Sequence, residues 1–169
     1  MILALTAAVI FAFMAIEARR AAVNERTQRA AGGLEPPGDV YPLMQLAYPG
    51  AFVAMLVEGA MRGGAPAQVA ALGIVVFAAA KALKWWAILT LGRAWTFRVI
   101  VVPGGRRIAS GPYRFFNHPN YVAVVGELLG AALLCGALLT GPAVTAFFLV
   151  LILKRIAVEN RAITTHLHS

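Results

Sequence analysis

Cysteine, histidine and acidic residues are scarce in this chain of 169 residues, which holds one, three and seven of them respectively. The single cysteine, Cys135, cannot form a disulfide within the chain, and its apolar neighbours are typical of a small buried side chain. No cysteines and histidines have the spacing of metal ligands, and His166 and His168 end a short polar tail, so we predict no metal site. The sequence also has no glycine-rich phosphate loop and no nucleophile elbow.

Charged residues of any kind make up only 13% of the chain, whereas 60% of it is hydrophobic. This composition is outside the range of soluble globular proteins and predicts a polytopic integral membrane protein with one domain, 1–169. The formal net charge of +8 could suggest nucleic acid. The arginines, however, flank apolar segments and form no basic stretch with interleaved aromatic residues. Membrane orientation explains them better, so we predict no nucleic-acid partner.

Five apolar segments predict about five transmembrane helices and an all-α fold. They comprise residues 1–16, 41–60, 67–91, 122–134 and 143–158. The first has no basic segment before it, so we expect a retained helix rather than a cleaved signal peptide, although it is short for a full span. Residues 17–40 are expected to be a solvated surface loop with a short helical start, because they contain four arginines and end in glycines and prolines.

Lysine and arginine counts predict the orientation of these helices. Segments 17–40, 92–118 and 154–169 hold four, five and three of them, whereas the turns at 61–66 and 136–142 hold one and none. Basic loops face the cytoplasm, so the N-terminus is expected outside and the C-terminus inside the cell. No internal repeat supports an inverted-repeat transporter.

Several polar residues within or beside the apolar segments need an explanation. Glu127 should face the helix bundle, since a lone carboxylate facing lipid is costly. Glu58 is expected to be exposed at a helix end. Lys81 and Lys84, next to two tryptophans, are interpreted as snorkelling residues at the membrane interface. The β-branched stretch 95–102 and the Pro-Gly-Gly turn after it predict a small hairpin.

Residues 111–121 form the most polar short segment and read Gly-Pro-Tyr-Arg-Phe-Phe-Asn-His-Pro-Asn-Tyr. Such a segment between apolar helices is either a functional site or a solvated turn, and composition alone favours the turn. Pro119 fits the first turn of the next helix. Arg155 and Glu159 share a helix face, so they either form an interfacial ion pair or face the polar segment.

These motifs together resemble those of the isoprenylcysteine carboxyl methyltransferase family. The family pattern is approximately G-P-Y-R-x-x-R-H-P-x-Y, followed by R-I-x-x-E-E. The matching residues here are Gly111-Pro112-Tyr113-Arg114, His118-Pro119-Asn120-Tyr121 and, about 35 residues later, Arg155-Ile156 with Glu159. The resemblance covers about residues 95–163 and implies an integral membrane enzyme. It also implies S-adenosylmethionine in a cytoplasm-facing pocket formed by the C-terminal half, and a lipophilic acceptor that arrives from the membrane lipid.

The resemblance also implies site residues. We expect 1–91 to supply three N-terminal helices and 92–169 to supply the cofactor-binding and catalytic part. The expected catalytic residues are Arg155, His118 and Glu159. The expected cofactor-binding residues are Tyr113, His118, Pro119, Asn120, Tyr121 and Glu159.

The chemistry of these side chains suggests which part of the cofactor or acceptor each would bind. Glu159 can bind the ammonium of the cofactor, and Tyr121 can face its sulfonium. Arg155 can hold a carboxylate acceptor, which needs no base. A phenolic acceptor would gain from a base such as His118, but His118 could instead hold the cofactor carboxylate.

Three departures from the family pattern concern the substrate more than the cofactor. Asn117 replaces an arginine, Asn160 replaces the second glutamate, and Ala123 replaces a glycine. The sequence therefore looks closer to short prokaryotic members that act on alkylresorcinols or alkylpyrones. Two alternatives stay open: a non-catalytic helical membrane protein, and an NADPH-dependent membrane reductase of similar fold. The sequence does not determine the acceptor or the oligomeric state.

Overall fold

The computed structural model describes residues 2–105 and 108–166, and within them the chain forms five α-helices. They are α1 (Ile2–Ala30), α2 (Tyr41–Arg62), α3 (Ala67–Leu91), α4 (Pro119–Cys135) and α5 (Thr140–His166). Among these described helices, four are long and apolar enough to cross a membrane, and α4 is shorter. The predicted all-α integral membrane fold is confirmed. His168 and the side chain of His166 lie outside the described part of the chain.

Helices α3 and α4 pack closely because small residues line their contact. A β-carbon added to Gly130 would lie 2.6 Å from the backbone nitrogen of Phe77, and one added to Gly73 would lie 2.5 Å from the nitrogen of Leu134. Side chains larger than hydrogen at these positions would push the helices apart. Small residues of α3 and α4 therefore form a helix-packing surface.

Four charged side chains meet inside the bundle. Lys81 Nζ lies 2.7 Å from Glu17 and 3.2 Å from Glu127, and Lys84 Nζ lies 2.8 Å and 3.3 Å from the same two carboxylates. All four side chains are between 1% and 7% exposed. Tyr48 on α2 donates a hydrogen bond to Glu127. This buried charge cluster joins α1, α2, α3 and α4.

The cluster confirms that Glu127 faces the bundle but corrects the interpretation of the lysines. Lys81 and Lys84 do not snorkel to the interface, because two interior carboxylates pair with them. The neighbouring Trp86 is 48% exposed.

Helix α1 is much longer than its apolar part, so the predicted surface loop at 17–40 is wrong over its first half. Asn24 and Gln28 are buried on the inner face of α1. Asn24 Nδ2 donates to the carbonyls of Gly92 and Trp95 at 3.0 and 2.7 Å, and Gln28 Nε2 donates to the carbonyl of Arg93 at 3.0 Å. These amides therefore join α1 to backbone carbonyls of the turn that follows α3.

The connection from α3 to α4 does not form the predicted hairpin. Its described residues contain two 3-10 turns, Gly92–Ala94 and Gly111–Arg114, and a single β-bridge that pairs Val101 with Leu34. Arg106 and Arg107 lie outside the described residues. The stretch thus packs against the α1–α2 connection instead of folding back on itself.

Glu58 lies at the opposite end of the bundle from this connection, and it is not exposed as predicted. Its side chain is 11% exposed. It accepts hydrogen bonds from the backbone N–H groups of Leu139 and Thr140 at 3.0 and 2.7 Å. A carboxylate from α2 therefore caps the start of α5 and favourably meets its helix dipole.

Removing one lysine of the buried charge cluster should destabilise the fold. Lys84→Met leaves Glu17 and Glu127 with one cation between them, and breaking a buried ion pair costs about 3–5 kcal/mol. Lys84→Met combined with Glu127→Gln keeps the cluster neutral and should recover much of that loss. The matched control is Lys154→Met, since Lys154 is exposed. Unfolding of the detergent-solubilised protein measures all three, and an equal effect of both single variants would contradict the prediction.

Candidate functional site

A cavity of about 790 Å³ opens at the end of the bundle where α1 and α3 end and α4 begins. This volume is within the roughly 300–1,000 Å³ range of small-molecule sites. Side chains of all five described helices and of the α3–α4 connection line it. The first half of the chain therefore contributes to the cavity walls along with the second.

The polar wall of the cavity contains four of the predicted site residues in contact. The hydroxyl of Tyr121 donates to Glu159 Oε2 at 2.9 Å and accepts from Arg155 Nε at 3.0 Å. His118 Nδ1 lies 3.7 Å from Glu159 Oε2, and its ring stacks on Tyr121 with centroids 5.5 Å apart. Arg155 and Glu159 do face the polar segment, as the second of the two sequence interpretations held. Tyr121 lies between them.

Glu159 differs from the other acidic residues in its ion pairs. Within the part of the chain that the structure describes, the other six pair with a lysine or arginine within 4 Å, and Glu159 has only His118 at 3.7 Å. Its side chain is 31% exposed and lines the cavity. The carboxylate of Glu159 can therefore still bind a cation.

Arg155 is fixed by several partners besides Tyr121. Its Nη1 lies 3.4 Å from Asp39 Oδ1, its Nη2 donates to the carbonyl of Phe97, and its guanidinium lies 5.7 Å from the ring centre of Tyr41. Its side chain is 7% exposed. The guanidinium thus ties α5 to the start of α2 and to the α3–α4 connection.

Sequence analysis missed Asp39, although a local signal was present. Its Oδ1 accepts from the backbone N–H of Tyr41 at 3.0 Å, and its Oδ2 accepts from that of Val99 at 3.1 Å. An aspartate two residues before the first helical residue is typical of such an Asx turn. The ion pair with Arg155, more than a hundred residues away, has no sequence signal.

The other predicted site residues differ in their access to the cavity. Tyr113 lines it, and burial, followed by the charge of Glu159, raises the pKa of its hydroxyl. Asn120 lines it as well, and its Oδ1 accepts from Trp95 Nε1 at 3.4 Å. Pro119 is fully buried in the first turn of α4 and is not part of the wall.

Another part of the cavity lining is largely apolar and reaches into the bundle. Met14, Met44 and Phe148 line it, together with Tyr48 and Lys84 from the buried charge cluster. The cavity therefore joins a polar end with titratable groups to an apolar interior suited to a hydrocarbon chain.

An ion-pair network closes the rim of the cavity. Arg98 lies 2.7 Å from Glu35 and 3.3 Å from Glu25, and Arg29 lies 2.7 Å from Glu35. Burial acts to raise the pKa of Glu35, but hydrogen bonds from Arg98 and Arg29 outweigh it and lower the pKa below 4.5. The hydrogen bond to Glu35 likewise raises the pKa of Arg98.

The chain is similar to one protein family and to two bacterial proteins. The family model for the isoprenylcysteine carboxyl methyltransferase (ICMT) family matches residues 71–165. The chain is 30% identical over 157 residues to the uncharacterized protein YpbQ of Bacillus subtilis, covering 92% of this chain and 93% of that one. It is 22% identical over 142 residues to an uncharacterized protein of Haemophilus influenzae, covering 83% of each. No solved structure matches it significantly.

The rim network should make stability depend on Glu35 in a defined pH window. A carboxyl whose pKa is lowered by folding stabilises the protein above its unfolded pKa, near 4.5, and loses that effect as the pH falls through its folded pKa. The wild-type protein should therefore have a higher melting temperature than the Glu35→Gln variant at pH 7. The difference between the two melting temperatures should disappear as the pH falls below 4.5. Thermal melts in detergent at several pH values test this. A gap that is constant with pH would contradict it.

Proposed function

This chain belongs to the isoprenylcysteine carboxyl methyltransferase family of membrane methyltransferases, and we propose that it transfers a methyl group from S-adenosylmethionine to a hydroxyl of a lipophilic acceptor. The observation that carries the proposal is Glu159. This carboxylate faces the cavity beside Tyr121 and His118 without a lysine or arginine partner among the described residues.

The residues around Glu159 fit the charges of S-adenosylmethionine. Glu159 can accept hydrogen bonds from its ammonium, and the rings of Tyr121 and Tyr113 can face its sulfonium through cation–π attraction. The side chain of Asn120 can hydrogen-bond polar groups of the cofactor. Pro119 contributes by fixing the start of α4, so that His118 and Tyr121 enter the cavity from one helical turn.

The partners of Arg155 favour a hydroxyl acceptor over a carboxylate. A carboxylate needs a free cation to hold it. Arg155 is already neutralised by Asp39 and also donates to Tyr121 and to the carbonyl of Phe97. We therefore assign Arg155 the positioning of the Tyr121 hydroxyl, whereas a carboxyl-methylating enzyme would use it to hold the acceptor.

The acceptor hydroxyl needs a base, and His118 can supply one. When bound, S-adenosylmethionine supplies an electrophilic methyl group on sulfur. A hydroxyl must lose its proton as it attacks, and His118 can accept that proton. The imidazolium would be stabilised by the Glu159 carboxylate 3.7 Å away. His118 then acts on the acceptor, and Glu159 serves both the base and the cofactor ammonium.

The apolar wall and the charge distribution complete the proposal. Met14, Met44 and Phe148 suit the hydrocarbon part of an acceptor that arrives from the bilayer, such as a phenolic or pyrone lipid. Lysines and arginines concentrate at the end of the bundle that holds the cavity. The positive-inside rule therefore favours a cavity that faces the cytoplasm, with the N-terminus outside the cell.

Cofactor binding provides the first test. We expect Glu159→Gln to weaken binding of S-adenosylmethionine about 10- to 100-fold, since a hydrogen bond to a charged group is worth about 1.5–3 kcal/mol. Tyr121→Phe should weaken it less. Glu58→Gln is the matched control, because Glu58 lies at the far end of the bundle. Titration calorimetry of the detergent-purified protein measures this. Binding of NADPH instead would indicate a reductase, and binding of neither would indicate a non-catalytic protein.

The role of His118 provides a second test that separates the two acceptor classes. His118→Asn should lower kcat on a long-chain phenol at least about 100-fold, as expected for loss of a general base, with little change in cofactor affinity. The deficit should shrink as pH rises and the phenol ionises by itself. A radiolabelled-methyl assay across pH measures this. Methylation of a prenylcysteine carboxylate that His118→Asn leaves intact would support the carboxyl-methylating alternative.

A further inference from the structure

A second groove lies beside α1 and adjoins the cavity at Arg93, which lines both. It has a volume of about 540 Å³ and runs between α1 and the end of α3. Its lining contains three arginines, Arg19, Arg20 and Arg93, and the indole of Trp85. None of the described residues that line it is acidic.

Two polar atoms in this groove have no hydrogen-bond partner. Arg20 Nε and Trp85 Nε1 are shielded from water, and neither donates to an acceptor in the described part of the chain. A buried donor without an acceptor costs about 1–3 kcal/mol, so such atoms need an explanation. Both atoms are donors, so a small rotation of the two side chains towards the groove would let acceptor oxygens of a ligand satisfy them.

The acidic residues nearest in sequence cannot serve as these acceptors. Glu17 is turned into the bundle, where it contacts Lys81 and Lys84. Glu25 pairs with Arg29 and Arg98 at the cavity rim. Asn24 also borders the groove, and its Nδ2 donates to the carbonyls of Gly92 and Trp95.

The groove is flanked by side chains suited to lipid. Ile16 and Val23 line it and are 53% and 54% exposed. They belong to α1, which is long and apolar enough to span the membrane. A soluble anion would gain nothing from these apolar flanks, whereas acyl chains would cover them.

We propose that this groove binds the phosphate of an anionic glycerophospholipid. The arginines and the indole N–H donate to the phosphate oxygens, as basic pockets between transmembrane helices do for acidic headgroups. The acyl chains follow Ile16 and Val23. This site is independent of the methyl-transfer proposal, because none of its arginines and neither of its unpartnered donors belongs to the catalytic residues assigned above.

Native mass spectrometry of the full chain in detergent, with phosphatidylglycerol or phosphatidylcholine, tests the proposal. We expect phosphatidylglycerol to bind at least about fivefold more tightly, since each basic residue near an anionic lipid contributes roughly that factor. Arg20→Gln should weaken phosphatidylglycerol binding about fivefold or more. Trp85→Phe removes the indole N–H together with part of the ring and should weaken phosphatidylglycerol binding about threefold.

Arg26→Gln is the matched control, because Arg26 is exposed on the same helix outside the groove. It should leave the affinity unchanged if the groove is a specific site. Equal losses for Arg20→Gln and Arg26→Gln, or equal binding of the two lipids, would overturn the proposal. Glycerol 3-phosphate provides the soluble arm. If glycerol 3-phosphate binds as tightly as phosphatidylglycerol, the ligand is a soluble phosphate ester, and the assignment to a lipid is overturned.

Discussion

Two lysines and two glutamates inside the bundle determine how four of the five described helices pack. Each of Lys81 and Lys84 on α3 contacts both Glu17 of α1 and Glu127 of α4, and Tyr48 of α2 joins through Glu127. A charge left unpaired among apolar helices is costly, so only an arrangement that brings all four together is acceptable. The ion pairs therefore fix how far the helices are shifted along one another. Because the four charges sum to zero, they leave no net charge in the membrane.

The cavity depends on this cluster at one end and on Arg155 at the other. Glu127 and Tyr121 are six residues apart on α4, a rise of about 9 Å, so one helix carries both the cluster and the polar wall. Arg155 then fixes Tyr121 and holds Asp39 and the α3–α4 connection over the cavity. A local change in the connection is therefore transmitted to the Tyr121 hydroxyl through one guanidinium.

The sequence predicted the elements that local patterns specify and missed the partners that only the fold brings together. The apolar segments predicted the boundaries of α2, α3 and α4 to within three residues. Short motifs predicted residues that line the polar wall of the cavity. The burial of Lys81 and Lys84 could not be predicted, because their partner Glu17 lies 64 residues away from Lys81 in a segment that reads as the start of a loop. Asn24 was missed for a related reason: an amide on a helix face looks solvated until a carbonyl from another element meets it.

The distribution of ion pairs explains why the two proposed ligands have opposite charges. The chain has fifteen basic and seven acidic residues. Within the described residues, six of the seven acidic residues pair with a lysine or arginine. The seventh, Glu159, lines the cavity, where its carboxylate can bind a cation. Arginines are in excess, and those that line the α1–α3 groove have no acidic residue beside them in its lining, so an anion would fit there. The proposed cationic cofactor thus matches a carboxylate without a lysine or arginine partner, and the proposed anionic lipid matches arginines without an acidic one.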